Sequence, residues 1–168
     1  MLTNILKQLS STLKNVSMSH SARTAIAATC SLAIAEVFKM HEAYWAPISA
    51  IIVMQSTLGA AWAVSKQRFT GTIVGAAFGG LLASYFEIHL LLFGVAIFVL
   101  GIICLLLHLD QSAYRFAGVT FTIITLITRG ETPWLIGFHR FVEVSLGIAV
   151  AISVTILWPE PRSSNADS

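Results

Sequence analysis

Few residues in this chain carry chemistry, and most of them interrupt apolar runs. Arg140 and Glu143 stand three positions apart within the apolar stretch 138–158, so on a helix they share a face. Two chemistries fit that spacing. Either the pair neutralises itself and is structural, or Arg140 holds a carboxylate while Glu143 exchanges a proton, since an ionisable group inside an apolar span marks a pathway by default. Arg68 stands just before another apolar stretch, where it attracts an anion or anchors the chain at a cytoplasmic surface. Gln55 and Ser56 fall in the middle of the stretch 43–64, and Thr122 and Thr125 lie on one helical face with Gly118 and Arg129. Such polar groups line a path or hydrogen-bond between helices. Tyr44 and Trp45, with Trp62, either stack on an aromatic ligand or belong to an interfacial belt. Glu36, with Lys39 and His41 nearby, is expected to snorkel to water. The histidines at 20, 41, 89, 108 and 139 lack paired i, i+4 spacing, so neither a metal site nor a cofactor is expected.

The elements that hold these residues follow from composition. The chain has 168 residues, 56% of them apolar and 11% charged, with a mean hydropathy of +0.80. Soluble domains carry about 25% charged residues, so this chain lacks the polar surface to cover a water-facing globule. That excludes a cytosolic enzyme, a nucleic-acid binder and a disordered regulator. The net charge of +2 is too small and scattered for a basic patch. Cys30 and Cys104 both lie in apolar runs and read as two thiols rather than a disulfide.

The fold class expected is all-α, a polytopic membrane protein with six transmembrane helices over 22–38, 43–64, 69–86, 88–108, 113–128 and 138–158. A bilayer core needs about 20 mostly apolar residues per helix. Residues 1–20 place Leu2, Ile5, Leu6, Leu9, Leu13 and Val16 at helical spacing around Lys7 and Lys14, the pattern of an amphipathic helix on the cytoplasmic surface. The membrane domain then covers 21–159, with a short cytoplasmic tail over 160–168 and no room for a soluble domain. With the N-terminus inside, the cytoplasmic ends carry Lys7, Lys14, Arg23, Lys66, Arg68, Arg115 and Arg162, against Lys39, Arg129 and Arg140 outside. That bias puts both termini in the cytoplasm of a cell that holds the chain in its inner membrane.

Arg68, Phe69 and Gly75 recur as Arg140, Phe141 and Gly147, an offset of 72 residues. Three spans per repeat would place the halves in opposite orientations, the logic of many secondary transporters; a match of three residues also arises by chance. Gly71, Gly75 and Gly79 form a stripe at four-residue spacing that suits close helix or subunit packing, and Gly147 is its counterpart in the sixth span.

The run Tyr44-Trp45-Ala46-Pro47-Ile48-Ser49, then Gln55, then Gln67-Arg68-Phe69-Thr70-Gly71-Thr72 with Gly75-Ala76, resembles the fusaric acid resistance and aromatic acid exporter families. Arg140-Phe141-Val142-Glu143 with Gly147, closing on Trp158-Pro159, is similar to the end of the same six-helix unit. Plant aluminium-activated malate transporters are similar in this membrane portion. The resemblance covers nearly all of 21–159 and implies export of organic anions, especially aromatic carboxylates, across the bacterial plasma membrane. Most members carry a cytosolic domain or a second membrane half, which this chain is read to lack, so self-association is expected. The alternative is an oligomerising accessory subunit without its own path, working with a companion subunit. A lipid-modifying membrane enzyme is disfavoured, because His108, Asp110, Arg115 and Lys66 form no mechanism-bearing spacing. The partners expected are the lipid bilayer, an organic anion and further copies of the chain, with no nucleic acid.

Overall fold

The computed structural model of the chain describes residues 18–55, 57–127 and 132–159. Among these residues there are six helices and no strand: α1 (Met18–Val37), α2 (Trp45–Val53), α3 (Leu58–Tyr85), α4 (Leu90–Leu106), α5 (Gln111–Leu126) and α6 (Pro133–Leu157). The all-α expectation therefore holds. Since α1 begins at Met18, the amphipathic helix expected over 1–20 lies almost wholly outside the described residues, as do Ser56, Arg129 and the tail beyond 159.

Two differences from the hydropathy pattern change where the charged residues stand. The continuous helix expected over 43–64 is broken. At its middle Met54 turns extended (φ −62°, ψ 112°), and Gln55 Nε2 donates to the Ile52 carbonyl at 3.2 Å, one of the acceptors that a helix end leaves open. Thr57 then caps the next helix, its hydroxyl oxygen accepting the Ala60 N–H at 3.3 Å. Hence α2 has 9 residues, about 13 Å of helix, while α3 takes residues 58–64 and reaches 28 residues, about 42 Å. Arg68, expected at the mouth of a helix opening at Phe69, lies well inside α3. Similarly, α6 starts at Pro133 rather than 138, because a proline without N–H and with φ fixed suits the first helical position. Arg140 is thus two turns inside, and Glu143 stands near the middle of α6 instead of its end.

Packing follows side-chain size. Ala27, Ala46, Ala50, Ala117 and Ala151 have no exposure at all, whereas Leu90, Leu91, Phe98, Leu105 and Leu106 are each more than two-thirds exposed. A soluble core buries its large side chains; small residues inside and large ones outside is how helices pack in lipid. By length and composition, α6 is the one described helix long and apolar enough to cross a membrane, and α4 is apolar but 17 residues long. Cys30 is exposed and Cys104 buried, both as free thiols.

The contacts fix helix directions. Gly71, Gly75 and Gly79 of α3 meet Ala113, Ala117 and Phe121 of α5 in rising order, so these two helices run parallel. Ala46 of α2 meets Gly147, and Met54 meets Thr155, so α2 and α6 are also parallel. Gly80 against Trp134, Ala76 against Gly137 and Phe69 against Phe141 make α3 and α6 antiparallel. The buried apolar side chains form two clusters. One joins α1, α2 and α6 through Ala27, Val53 and Ile148; the other joins α4 and α5 through Leu100 and Phe121, with Val74 and Phe78 of α3 against it.

Candidate functional site

Where α3 and α6 cross, at the Phe69–Phe141 ring contact of 5.1 Å, the preceding residue of each helix is an arginine. Both are buried, Arg68 at 5% exposure and Arg140 at 1%, and Glu143 beside them is 1% exposed. The guanidinium carbon of Arg140 lies 3.4 Å from the centre of the Trp45 ring on α2. That of Arg68 lies 5.0 Å from the Phe116 ring on α5, and its Nη2 donates to Ser49 Oγ at 3.0 Å. The two arginines act on each other's charge, and Glu143 and Glu42 offset that of Arg140.

Arg140 and Glu143 were candidates to neutralise each other, and the structure places them together on α6. Glu143 Oε1, however, accepts the backbone N–H of Glu42 at 3.0 Å, and Glu42 Oε2 accepts Trp45 Nε1–H at 2.9 Å. Trp45 is thereby clamped on one edge while its face meets the guanidinium. A ring face attracts a cation but accepts none of its N–H bonds. Arg68 Nε, Arg140 Nε and Nη1, and Glu143 Oε2 have no hydrogen-bond partner among the described residues. A buried polar group in that condition costs about 1–3 kcal/mol, more when charged.

Two helix ends add to the cluster. The first residue of α2 is Trp45 itself, and α5 opens at Gln111 just after Asp110, whose Oδ2 accepts Gln67 Nε2–H at 3.1 Å, next to Arg68. A helix N-terminus presents open N–H groups and a partial positive charge, so both short helices bring their positive ends to the level of the arginines.

The remaining candidates are distributed around this centre. Tyr44 is half exposed, tilted against Trp45 at 5.4 Å. Gln55 caps α2 as described and does not reach the arginines' hydrogen bonds. Thr125 is buried and Thr122 half-buried; their hydroxyls donate to Phe121 and Gly118 carbonyls of their own helix, at 2.8 Å each. This back-bonding satisfies a hydroxyl locally. Thr122 nonetheless lines an open cavity of about 590 Å³ between α4, α5 and Trp45, with Tyr114 and Arg115 on its walls. Trp62 is exposed on the surface. Among the described residues no group of three or more His, Cys, Asp or Glu could hold a metal ion.

The packing glycines stand where backbones touch. A methyl group added at Gly71 or Gly75 would strike the carbonyl oxygens of Ala113 and Ala117, and one at Gly147 would strike that of Ala46 and the side chain of Ser49. Gly79 is in ordinary contact with Phe121 and Ile124. Ser49, Phe116 and Glu42 were not singled out as site residues. Ser49 is marked only as the end of the run 44–49, and nothing in the local sequence marks Phe116 or Glu42, because their roles depend on which helices cross.

Comparison with known proteins extends this picture. The chain is 27% identical over 156 residues to the protein named Uncharacterized transporter YdhK of Escherichia coli (strain K12), covering 88% of this chain and 23% of that protein. It is 24% identical over 147 residues to Inner membrane protein YccS of the same strain, covering 87% of this chain and 20% of that one. The chain thus spans about a fifth of the length of the curated relatives it matches. No solved structure matches it. The family described as Fusaric acid resistance protein-like matches residues 27–154. With the match running through α2, the Arg68–Gly75 segment and the Arg140–Gly147 segment alike, the chain belongs to the fusaric acid resistance protein-like family.

Proposed function

We propose that this chain is a membrane transporter that moves organic anions, aromatic carboxylates in particular, out of the cell, with the anion held between Arg68 and Arg140. The observation that carries the reading is the pair of buried guanidiniums with N–H groups left open beside two helix N-termini. A carboxylate supplies the missing acceptors, and a planar guanidinium suits it. Trp45 and Phe116 add ring faces for the substrate's aromatic body. The relatives named as a transporter and as an inner membrane protein agree with this reading.

In the arrangement we propose, the chain crosses the membrane six times as two inverted repeats, α1–α3 and α4–α6, with both termini in the cytoplasm. The packing supports the repeat beyond the offset of 72 residues. Gly75 of α3 packs on Ala117 of α5, and Gly147 of α6 packs on Ala46 of α2. Arg68 faces Phe116 across the first interface, and Arg140 faces Trp45 across the second. Phe69 and Phe141, equivalent under the offset, touch each other as residues beside a two-fold axis must. The second crossing begins with the short α2 and continues past the extended Met54. Discontinuous helices whose N-termini point at an anionic group near mid-membrane are the familiar form of such sites. An interior-negative potential pushes an anion outward by about 2.3 kcal/mol per charge per 100 mV, so export needs no further energy source. Copies of the chain self-associate in this proposal.

The test is reconstitution of the purified chain into liposomes loaded with radiolabelled hydroxybenzoate, with efflux followed with and without an imposed potential. Potential-dependent efflux that is lost in both Arg68→Ala and Arg140→Ala is expected. No movement above empty liposomes, with the protein folded, overturns the reading and favours an accessory subunit.

A further inference from the structure

Next to the arginines, a cavity of about 210 Å³ lies between the connection from α1 to α2 and the first half of α6. Lys39 and His41 from the connection and Phe138 and His139 from α6 form its walls, and Glu143 is its most deeply buried lining residue. The imidazole rings of His41 and His139 stack at 5.4 Å with 14° between their planes. The cavity walls are exposed at Lys39, His41 and Phe138, so the cavity leads from the surface to a carboxylate of 1% exposure. That carboxylate has a donor on Oε1, the Glu42 N–H, and none among the described residues on Oε2.

We propose that Glu143 is a proton-binding site, reached through this cavity past His41 and His139, and that its protonation removes the negative charge that opposes an anion at Arg140. The proposal deepens the anion reading above and rests on it. The step is a simple protonation. Hydronium entering the cavity past the imidazoles gives one proton to Oε2: its O–H bond breaks, leaving water, as the new O–H bond forms, and the carboxylate loses its charge. Imidazoles are the side chains suited to relay protons near neutral pH.

The charges around Glu143 give the step its consequence. Arg140 faces it from its own helix, with His139 beside it; Glu42, His41 and Lys39 face it from the connection, and Arg68 approaches from α3 through Arg140. While Glu143 is ionised, its charge offsets the Arg140 guanidinium and repels an incoming carboxylate. Once protonated it does neither. Proton and anion therefore strengthen each other's binding, and by linkage each must raise the other's affinity equally.

Calorimetric titration of the purified chain with 4-hydroxybenzoate, between about pH 6 and 8 where the ligand's carboxylate stays ionised, tests this. Binding to the unsubstituted chain should tighten as pH falls, by at most about tenfold per pH unit for one linked proton. Titration in buffers of different ionisation enthalpy should show proton uptake on binding, up to about one per chain by the same linkage. This second measurement needs no variant to fold. Glu143→Gln should bind tightly at every pH with no proton uptake. A pH dependence that persists in Glu143→Gln places the proton elsewhere, on His41 or His139, and overturns the proposal; so does pH-independent binding, or proton release, in the unsubstituted chain. Absence of any binding removes the anion reading itself and the proton site with it, whereas pH-independent binding leaves the anion reading standing.

Discussion

A guanidinium 3.4 Å above an indole, with Nε and Nη1 lacking a hydrogen-bond partner among the described residues, is held by the ring's quadrupole together with the charges of Glu143 and Glu42. Such an interaction is worth about 2 kcal/mol when desolvated, against about 0.5–1 kcal/mol at an exposed site. Trp45→Leu is therefore expected to destabilise the protein by about 2 kcal/mol or more, read as a shift in the unfolding midpoint in detergent. Trp45→Phe keeps a ring face but loses the bond to Glu42, and should fall between the two. Trp62→Leu, at an exposed position, serves as the control. Equal effects at 45 and 62 would mean that Arg140 is held by something other than the ring. Arg140 and Glu143 stood out in the sequence because a charge inside an apolar run is anomalous wherever it occurs, whereas Arg68 showed only as a charge just before an apolar stretch. Their partners did not stand out. Ser49 and Phe116 look like ordinary helix residues, and only the crossing of α3 with α2 and α5 gives them a guanidinium to face.

At the scale of the elements, glycine sets how near two helices come. Gly75 and Gly147 each leave no room for a Cβ against a partner's carbonyl, and backbone does not move aside as a flexible side chain does. Gly75→Ala and Gly147→Ala should each cost about 1–3 kcal/mol, the range for forcing extra atoms into a packed interface, and equivalence of the two proposed repeats predicts similar costs. Gly94, inside α4 with nothing within 4 Å of an added Cβ, should behave oppositely. There alanine gains up to about 1 kcal/mol of helix propensity. Thermal unfolding of the three variants in one detergent decides; a loss at Gly94 equal to that at Gly75 would remove close approach as the explanation. The glycine stripe was readable from spacing, whereas its partner helix was not. The break between α2 and α3 was half readable. A hydropathy window averages Gln55-Ser56-Thr57 into its apolar flanks, but a polar run ending in threonine before a new apolar stretch is also a helix start signal.

The molecule as a whole presents an outer surface that water does not explain. Leu90, Leu91, Phe98, Leu105 and Leu106 make one exposed apolar face of α4, a helix of 17 residues and about 25 Å. A bilayer core is about 30 Å thick, and an apolar helix slightly short of it is accommodated by local thinning and snorkelling flanks. α4 packs antiparallel on α5, through the Tyr114 hydroxyl donating to the Ile97 carbonyl and Phe121 against Phe93, and in the proposed topology it makes one crossing between residues 87 and 108. Single cysteines introduced at Glu87 and His108, in a background with Cys30 and Cys104 replaced by alanine, test it directly. A membrane-impermeant maleimide applied to intact cells should label Glu87→Cys together with Lys39→Cys, and should leave His108→Cys and Lys66→Cys unlabelled until the membrane is opened. Lys39 and His108 both take left-handed backbone angles, φ 50° and 54°, and each sits in the turn after the first helix of its proposed repeat. Their labelling from opposite sides is thus the sharpest expression of the inversion. Labelling of both from one side would leave three helices per half in the same orientation, and the opposed α2 and α5 ends could not then converge on one anion from the two faces of the membrane.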